Sequence, residues 1–76
     1  MEIKTKFNVD DTVYVFRRNS IFVTQIKDIK IYCYKDSYNV DYIIFDKDYT
    51  GGVTVSEDEL FDNEEDCRRS IPIMKN

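Results

Sequence analysis

The sequence predicts a mainly β fold, a small barrel of five short strands carrying one short C-terminal helix. Three observations lead there. Alanine is absent while Ile, Val, Tyr, Phe and Thr abound, a bias toward strands. Apolar residues alternate with polar ones in short runs separated by Asn, Asp, Ser and Gly. One long run changes phase midway, as a strand does when it must bend. At 76 residues the chain makes one domain, expected over residues 1–71, with 72–76 as a tail.

The elements follow in order. Ile3, Thr5, Phe7 and Val9 share one parity and predict a first strand over Ile3–Val9. Asn8–Asp11 turns the chain, and Thr12–Arg17 forms a second strand with Val13 and Val15 inward. Arg17–Ser20 is the next turn. In Ile21–Tyr34, Phe22, Thr24 and Ile26 hold one phase, whereas Ile29, Ile31 and Cys33 hold the other. The slip at Lys27–Asp28 is the mark of a bulge that lets a barrel close. After Lys35–Ser37, the residues Tyr38, Val40, Tyr42 and Ile44 alternate along a fourth strand. An Asp- and Gly-rich turn over Asp46–Gly52 precedes a short fifth strand at Val53 and Val55. Leu60-Phe61 plugs one end of the core. Asp62 with Glu65 reads as a helix cap, Glu64/Arg68 and Glu65/Arg69 as i,i+4 pairs, and Pro72 as the stop.

Five strands, a bend in one of them and a terminal helical turn add up to an SH3-like barrel. The pattern Phe7-x-Val9-x-Asp11-x-Val13-Tyr14, Ile26-x-x-Ile29-x-Ile31, Tyr38-x-Val40, Val55-x-Glu57-Asp58-x-Leu60-Phe61 and Glu64-Glu65 resembles a loosely defined group of small SH3-like proteins of phages, mobile elements and bacteria. The resemblance spans about residues 5–70. It departs at Asp10, where that group shows Gly. It implies the fold and leaves the biochemical task open.

Composition narrows the function. With no histidine, no CxxC and no glycine-rich phosphate loop, the usual nucleophile arrangements, zinc ligand sets and nucleotide cradles have no residues to build them. A protein without enzymatic activity and without a cofactor is expected. Cys33 and Cys67 read as buried small hydrophobes of a reducing compartment. The absence of an apolar run of about 18 residues or a signal-like start points to the cytoplasm, that of a bacterial host if a phage encodes the chain, and away from membranes.

Charge is unevenly placed. Residues 1–55 hold eight acids and eight bases, whereas residues 56–76 hold seven acids and three bases, so the whole net charge of −4 sits in the last quarter. The acidic block around Glu57, Asp58, Glu59, Asp62 and Asp66 is a candidate surface for a basic partner, and the outward aromatics Tyr14, Phe16, Tyr32 and Tyr34 are its candidate anchors. The expected function is a protein-binding module. In its most specific form it inhibits a host defence nuclease, as an anti-CRISPR does, by covering a basic nucleic-acid-binding surface; a homodimer through the aromatics is also open. The alternative is a nucleic-acid-binding module using Arg17, Arg18, Lys27 and Lys30, which an acidic chain disfavours. A lesser alternative is a calcium loop in Asp46–Glu57, with oxygen ligands at Asp46, Asp48, Thr50 and Glu57 and Gly51 at its sixth position. The same residues read better as a hairpin, because Ser37–Phe45 is β-branched and aromatic where an incoming helix would have to be.

Overall fold

The structure, a computed structural model, describes residues 2–71. Four strands form an open antiparallel sheet in sequence order: β1 (Thr12–Arg17), β2 (Ser20–Cys33), β3 (Tyr38–Asp46) and β4 (Tyr49–Ser56). A 3-10 turn (Glu57–Glu59) and the helix α1 (Glu64–Ser70) follow. The mainly β class with a short helix is what the sequence predicts. The five-stranded closed barrel is not what is seen. Ile3–Val9 forms no strand, because its amides are taken by tyrosine hydroxyls rather than by a neighbouring ladder. Among the described residues, no helix is long and apolar enough to cross a membrane.

Local chemistry fixes each corner. Arg18 and Asn19 both adopt positive φ (52° and 64°), the geometry of a two-residue hairpin turn whose twist matches its strands. Between β3 and β4 the turn is only Lys47–Asp48, with Asp46 opposite Tyr49, so it is shorter than Asp46–Gly52. Gly52 instead sits at an irregularity within β4 with φ +88°. Asp10 holds φ 75° where the resembling group has Gly, and Asp tolerates this region better than most residues.

The phase slip appears where it was expected. Ile26 pairs with Ile44, Asp28 with Ile43, and Lys27 is the extra residue. The slip divides β2. Its first half pairs with β1 through Thr12↔Gln25, and the half after the bulge pairs with β3. Val13, Val15, Ile26, Tyr42, Ile44 and Leu60 are fully buried in the core, joined by Phe7, Val40 and Val55. Ile29 packs against this core, but Ile31 and Cys33 do not. Beyond Ile29 the β2–β3 hairpin runs past the core as an arm, which leaves Ile31, Tyr32 and Tyr34 exposed and Cys33 a free surface thiol. The molecule is accordingly elongated, 43 × 28 × 17 Å.

After Leu60, Phe61 makes a single antiparallel bridge with Tyr14, its carbonyl accepting from Tyr14 N–H at 2.7 Å. This lays the chain along the free edge of β1. Helix α1 starts one residue later than predicted. Asn63, not Asp62, is the cap, its Oδ1 accepting from Asp66 N–H at 2.7 Å. The Glu64–Arg68 and Glu65–Arg69 pairs form on its surface. The helix packs on β1 and β2 and buries Cys67. The predicted stop at Pro72 and the tail lie outside the described residues.

Adjacent glycines test the β4 geometry. A Cβ on Gly52 would meet Ile43 Cγ2 at 2.6 Å and the Ile44 carbonyl oxygen at 2.9 Å, while one on Gly51 meets nothing. Gly52→Ala should destabilise the domain by ~2 kcal/mol or more and Gly51→Ala by less than about 1 kcal/mol, read from urea unfolding.

Candidate functional site

The N-terminal segment has no ladder of its own, so polar groups must hold it. Tyr42 does this from inside the core. Its ring is fully buried and packs edge-on against Phe7, centroids 5.8 Å apart. Its hydroxyl accepts from Lys6 N–H (3.1 Å) and Phe7 N–H (3.3 Å) and donates to the Glu57 carboxylate. Glu57 Oε2 also accepts from Lys6 N–H at 2.8 Å. Burial, reinforced by the bond to Glu57, pushes the Tyr42 phenol up to about 12. Tyr38 repeats the device nearer the arm, its hydroxyl accepting from Lys4 N–H at 3.0 Å.

A groove of about 810 Å³ opens between this segment, the β3 side of the arm and the 3-10 turn. Tyr32, Tyr34 and Tyr38 line it together with the carboxylates of Asp41, Glu57 and Asp58, and Lys4 and Lys6 stand beside Tyr38 and Glu57, to which their amides are bonded. Four of the predicted partner residues, Tyr32, Tyr34, Glu57 and Asp58, thus meet in one place. Glu57 is committed to Tyr42 and Lys6; Asp41 is half-buried as Glu57 is, and Asp58 is exposed and accepts from Ser56 Oγ at 2.6 Å.

The remaining predicted residues are dispersed. Glu59 accepts from Ser56 N–H at 3.0 Å and Asp62 from Asn63 Nδ2 at 2.8 Å. Asp66 accepts from Asn63 Nδ2 at the helix start. Tyr14 and Phe16 are half-buried on β1, the strand that α1 covers, so they are not open anchors. Sequence reasoning missed Tyr38 and Asp41. In the sequence Tyr38 is one member of the alternation with Val40, Tyr42 and Ile44, and Asp41 lies where β4 ends opposite it, at Ser56.

The four basic candidates do not gather. Arg18 is bound by Asp46 at 3.1 Å and Asp48 at 3.5 Å and lies over the Phe22 ring. Arg17 is half-buried, Lys27 sits over Phe45 and donates to the Gly51 carbonyl, and Lys30 is out on the arm. Arg18 and Phe45 do line a second, smaller groove of about 640 Å³ with Val23, Lys47 and Tyr49.

The proposed calcium ligands do not converge. Asp46 and Asp48 are spent on Arg18 and the turn, while Glu57 lies at the far end of β4 on Tyr42. Asp46 is held below the usual carboxylate range, first by the Asp48 N–H at 2.9 Å and then by Arg18. Among the described residues no group of three or more Cys, Asp or Glu side chains is placed to hold a metal ion. Burial pushes the Cys67 thiol up, which makes it an inert core thiol.

No family model, curated protein or solved structure matches the chain.

Two titrations check these assignments. The folded pKa of Tyr42 lies above its ordinary value of 10.0, so its contribution is complete below pH 10 and is lost as pH rises toward about 12. Tyr42→Phe should cost about 1–2 kcal/mol at neutral pH and remove the late tyrosinate step from an ultraviolet titration. Asp46 acts in the opposite direction. Its stabilisation is present above its ordinary value of 3.8 and is lost as pH falls through its lower folded value, so Asp46→Asn should flatten the acid limb of the stability–pH curve.

Proposed function

We propose that this protein is a non-enzymatic protein-binding module that engages a cationic stretch of a partner in the groove between the β2–β3 arm and the 3-10 turn. The observation that carries this reading is that Tyr32 and Tyr34 share one face of the arm with the Asp41 carboxylate, at a groove that Asp58 also lines. Tyrosine faces attract ammonium and guanidinium groups by cation–π interaction, and carboxylates beside them add charge-assisted hydrogen bonds. A Lys or Arg side chain is the partner group that uses both. Lys4 and Lys6 also line the groove and disfavour a second cation beside them.

The SH3-like reading of the fold belongs to the same proposal. Phe61, joined to β1 by its bridge, stands where a closing fifth strand would run after the 3-10 turn. The specific form of the activity is occlusion: a small acidic domain covers the basic nucleic-acid-binding surface of another protein, a host defence nuclease if the chain comes from a phage. That form is supported by the resemblance of the sequence motifs, the chain's size and its net charge of −4. A bacterial cytoplasm is the setting it requires.

A labelled Arg/Lys-rich peptide should bind and an Asp/Glu-rich peptide should not. Asp58→Lys together with Tyr34→Ser should weaken binding by about tenfold, ~1.4 kcal/mol, without lowering the melting temperature. Equal affinity of variant and wild type would overturn the reading. In a gel shift, wild type should retard no free nucleic acid; retardation lost in Arg17→Glu/Arg18→Glu would instead favour the nucleic-acid-binding alternative.

A further inference from the structure

The arm carries a second feature, the backbone edge of β2 that faces away from β3. β1 pairs with β2 only up to Gln25, and Asp10 N–H and the Asp11 carbonyl extend that contact to Ile26. Beyond the bulge, no described strand pairs with this edge of β2. The direction of its backbone groups can be read off the hairpin end. Tyr34 N–H donates to the Ser37 carbonyl at 2.8 Å, so Tyr34 faces β3. Alternate residues of an antiparallel strand face the same neighbour, so Tyr32 and Lys30 also face β3, and Ile31 and Cys33 point their N–H and C=O groups at the open edge. Such an edge is a template for another strand. It carries Ile31 and Tyr32, 42% and 45% exposed, beside the charged Asp28 and Lys30.

We infer that this edge pairs with the same edge of a second copy of the chain, forming a two-fold dimer with a continuous sheet across the two arms. The edge is self-complementary, and the register can be worked out. A two-fold axis perpendicular to the sheet brings each face onto itself, so residues of equal parity meet. With Lys30 on the axis, like charges would stand directly opposite, and the second copy's Tyr34 would fall on Ile26, whose backbone Asp10 and Asp11 already occupy. Moving one step outward places Ile31 opposite its own copy, Ile29 opposite Cys33, Lys30 opposite Tyr32 and Asp28 opposite Tyr34. One face is then an apolar strip, and the other pairs each lysine with a tyrosine ring and each aspartate with a phenol. Every further step outward shortens the ladder. The Ile31-centred register is therefore the longest one that avoids both the charge clash and the β1 end. It spans about 24 Å along the strands. The Asp28 carboxylate accepts from Ile29 N–H at 2.8 Å, capping that donor while the protein is monomeric. The contact is narrow, which makes the dimer weak and concentration-dependent. It uses the β2 edge and draws on Tyr32 and Tyr34, which also line the groove, while the Asp41 and Asp58 carboxylates lie outside the contact.

Sedimentation equilibrium on the full chain should show a monomer–dimer equilibrium. Ile31→Lys puts two ammonium groups on the axis and should weaken dimerisation at least tenfold while circular dichroism and melting stay unchanged, since Ile31 lies outside the core. The register has its own test. In Ile31→Cys/Cys33→Ser the new thiols face each other and should cross-link on mild oxidation. In wild type the two Cys33 positions are four residues out of step, about 14 Å apart, and should not. A wild-type chain that stays monomeric at millimolar concentration overturns the inference. So does dimerisation unaffected by Ile31→Lys, or a dimer in which Ile31→Cys/Cys33→Ser fails to cross-link.

Discussion

The Tyr42 hydroxyl is the interaction on which the rest of the structure depends. A phenol can accept two hydrogen bonds and donate one, and here all three are used: by two N-terminal amides and by Glu57. The N-terminal segment, the central strand β3 and the 3-10 turn after β4 are thereby joined at a single oxygen. The ring beneath it fills the core against Phe7, so packing and polar satisfaction are supplied by one side chain. The groove owes its shape to this node, because both of its rims are the segments that the hydroxyl ties together. The same economy explains why Ile3–Val9 needs no strand partner: side-chain oxygens replace the missing ladder.

The bulge at Lys27 sets the second constraint. By inserting one residue it turns the inward phase of β2 from Ile26 to Ile29, keeping the core continuous through the bend. The core ends within a few residues of the bend, and no described strand or helix covers the hairpin beyond it. The arm presents one edge to the groove and leaves the other without a strand partner among the described residues.

Much of the fold was legible in the sequence because period-two alternation and turn residues report local geometry directly. The Arg18–Asn19 turn, the inward Val13, Val15, Tyr42 and Ile44, the phase slip and the helix surface pairs all follow from such local rules. What failed was non-local. Ile3–Val9 alternates like a strand, yet whether it pairs depends on which neighbour reaches it, and tyrosine hydroxyls arrived first. Ile31 and Cys33 keep the inward parity of a core strand, but parity cannot tell where the core stops. The acidic block looked like a uniform patch. In the fold its members separate into a turn, a cap and helix surface pairs, leaving Asp58 beside the tyrosines.

The meander order of the sheet bears on how the chain acquires its shape. Each strand pairs with its neighbour in sequence, so the three hairpins can form from nearby residues at small loop-closure cost. Several contacts escape this pattern, among them the Tyr14–Phe61 bridge and the bonds from Lys6 and Phe7 to Tyr42, residues 36 and 35 positions apart. These bear the larger entropic toll of bringing distant segments together. The hairpins are the natural nucleus, and fastening onto them the segments around Lys6–Phe7 and Phe61 is the closing step of folding.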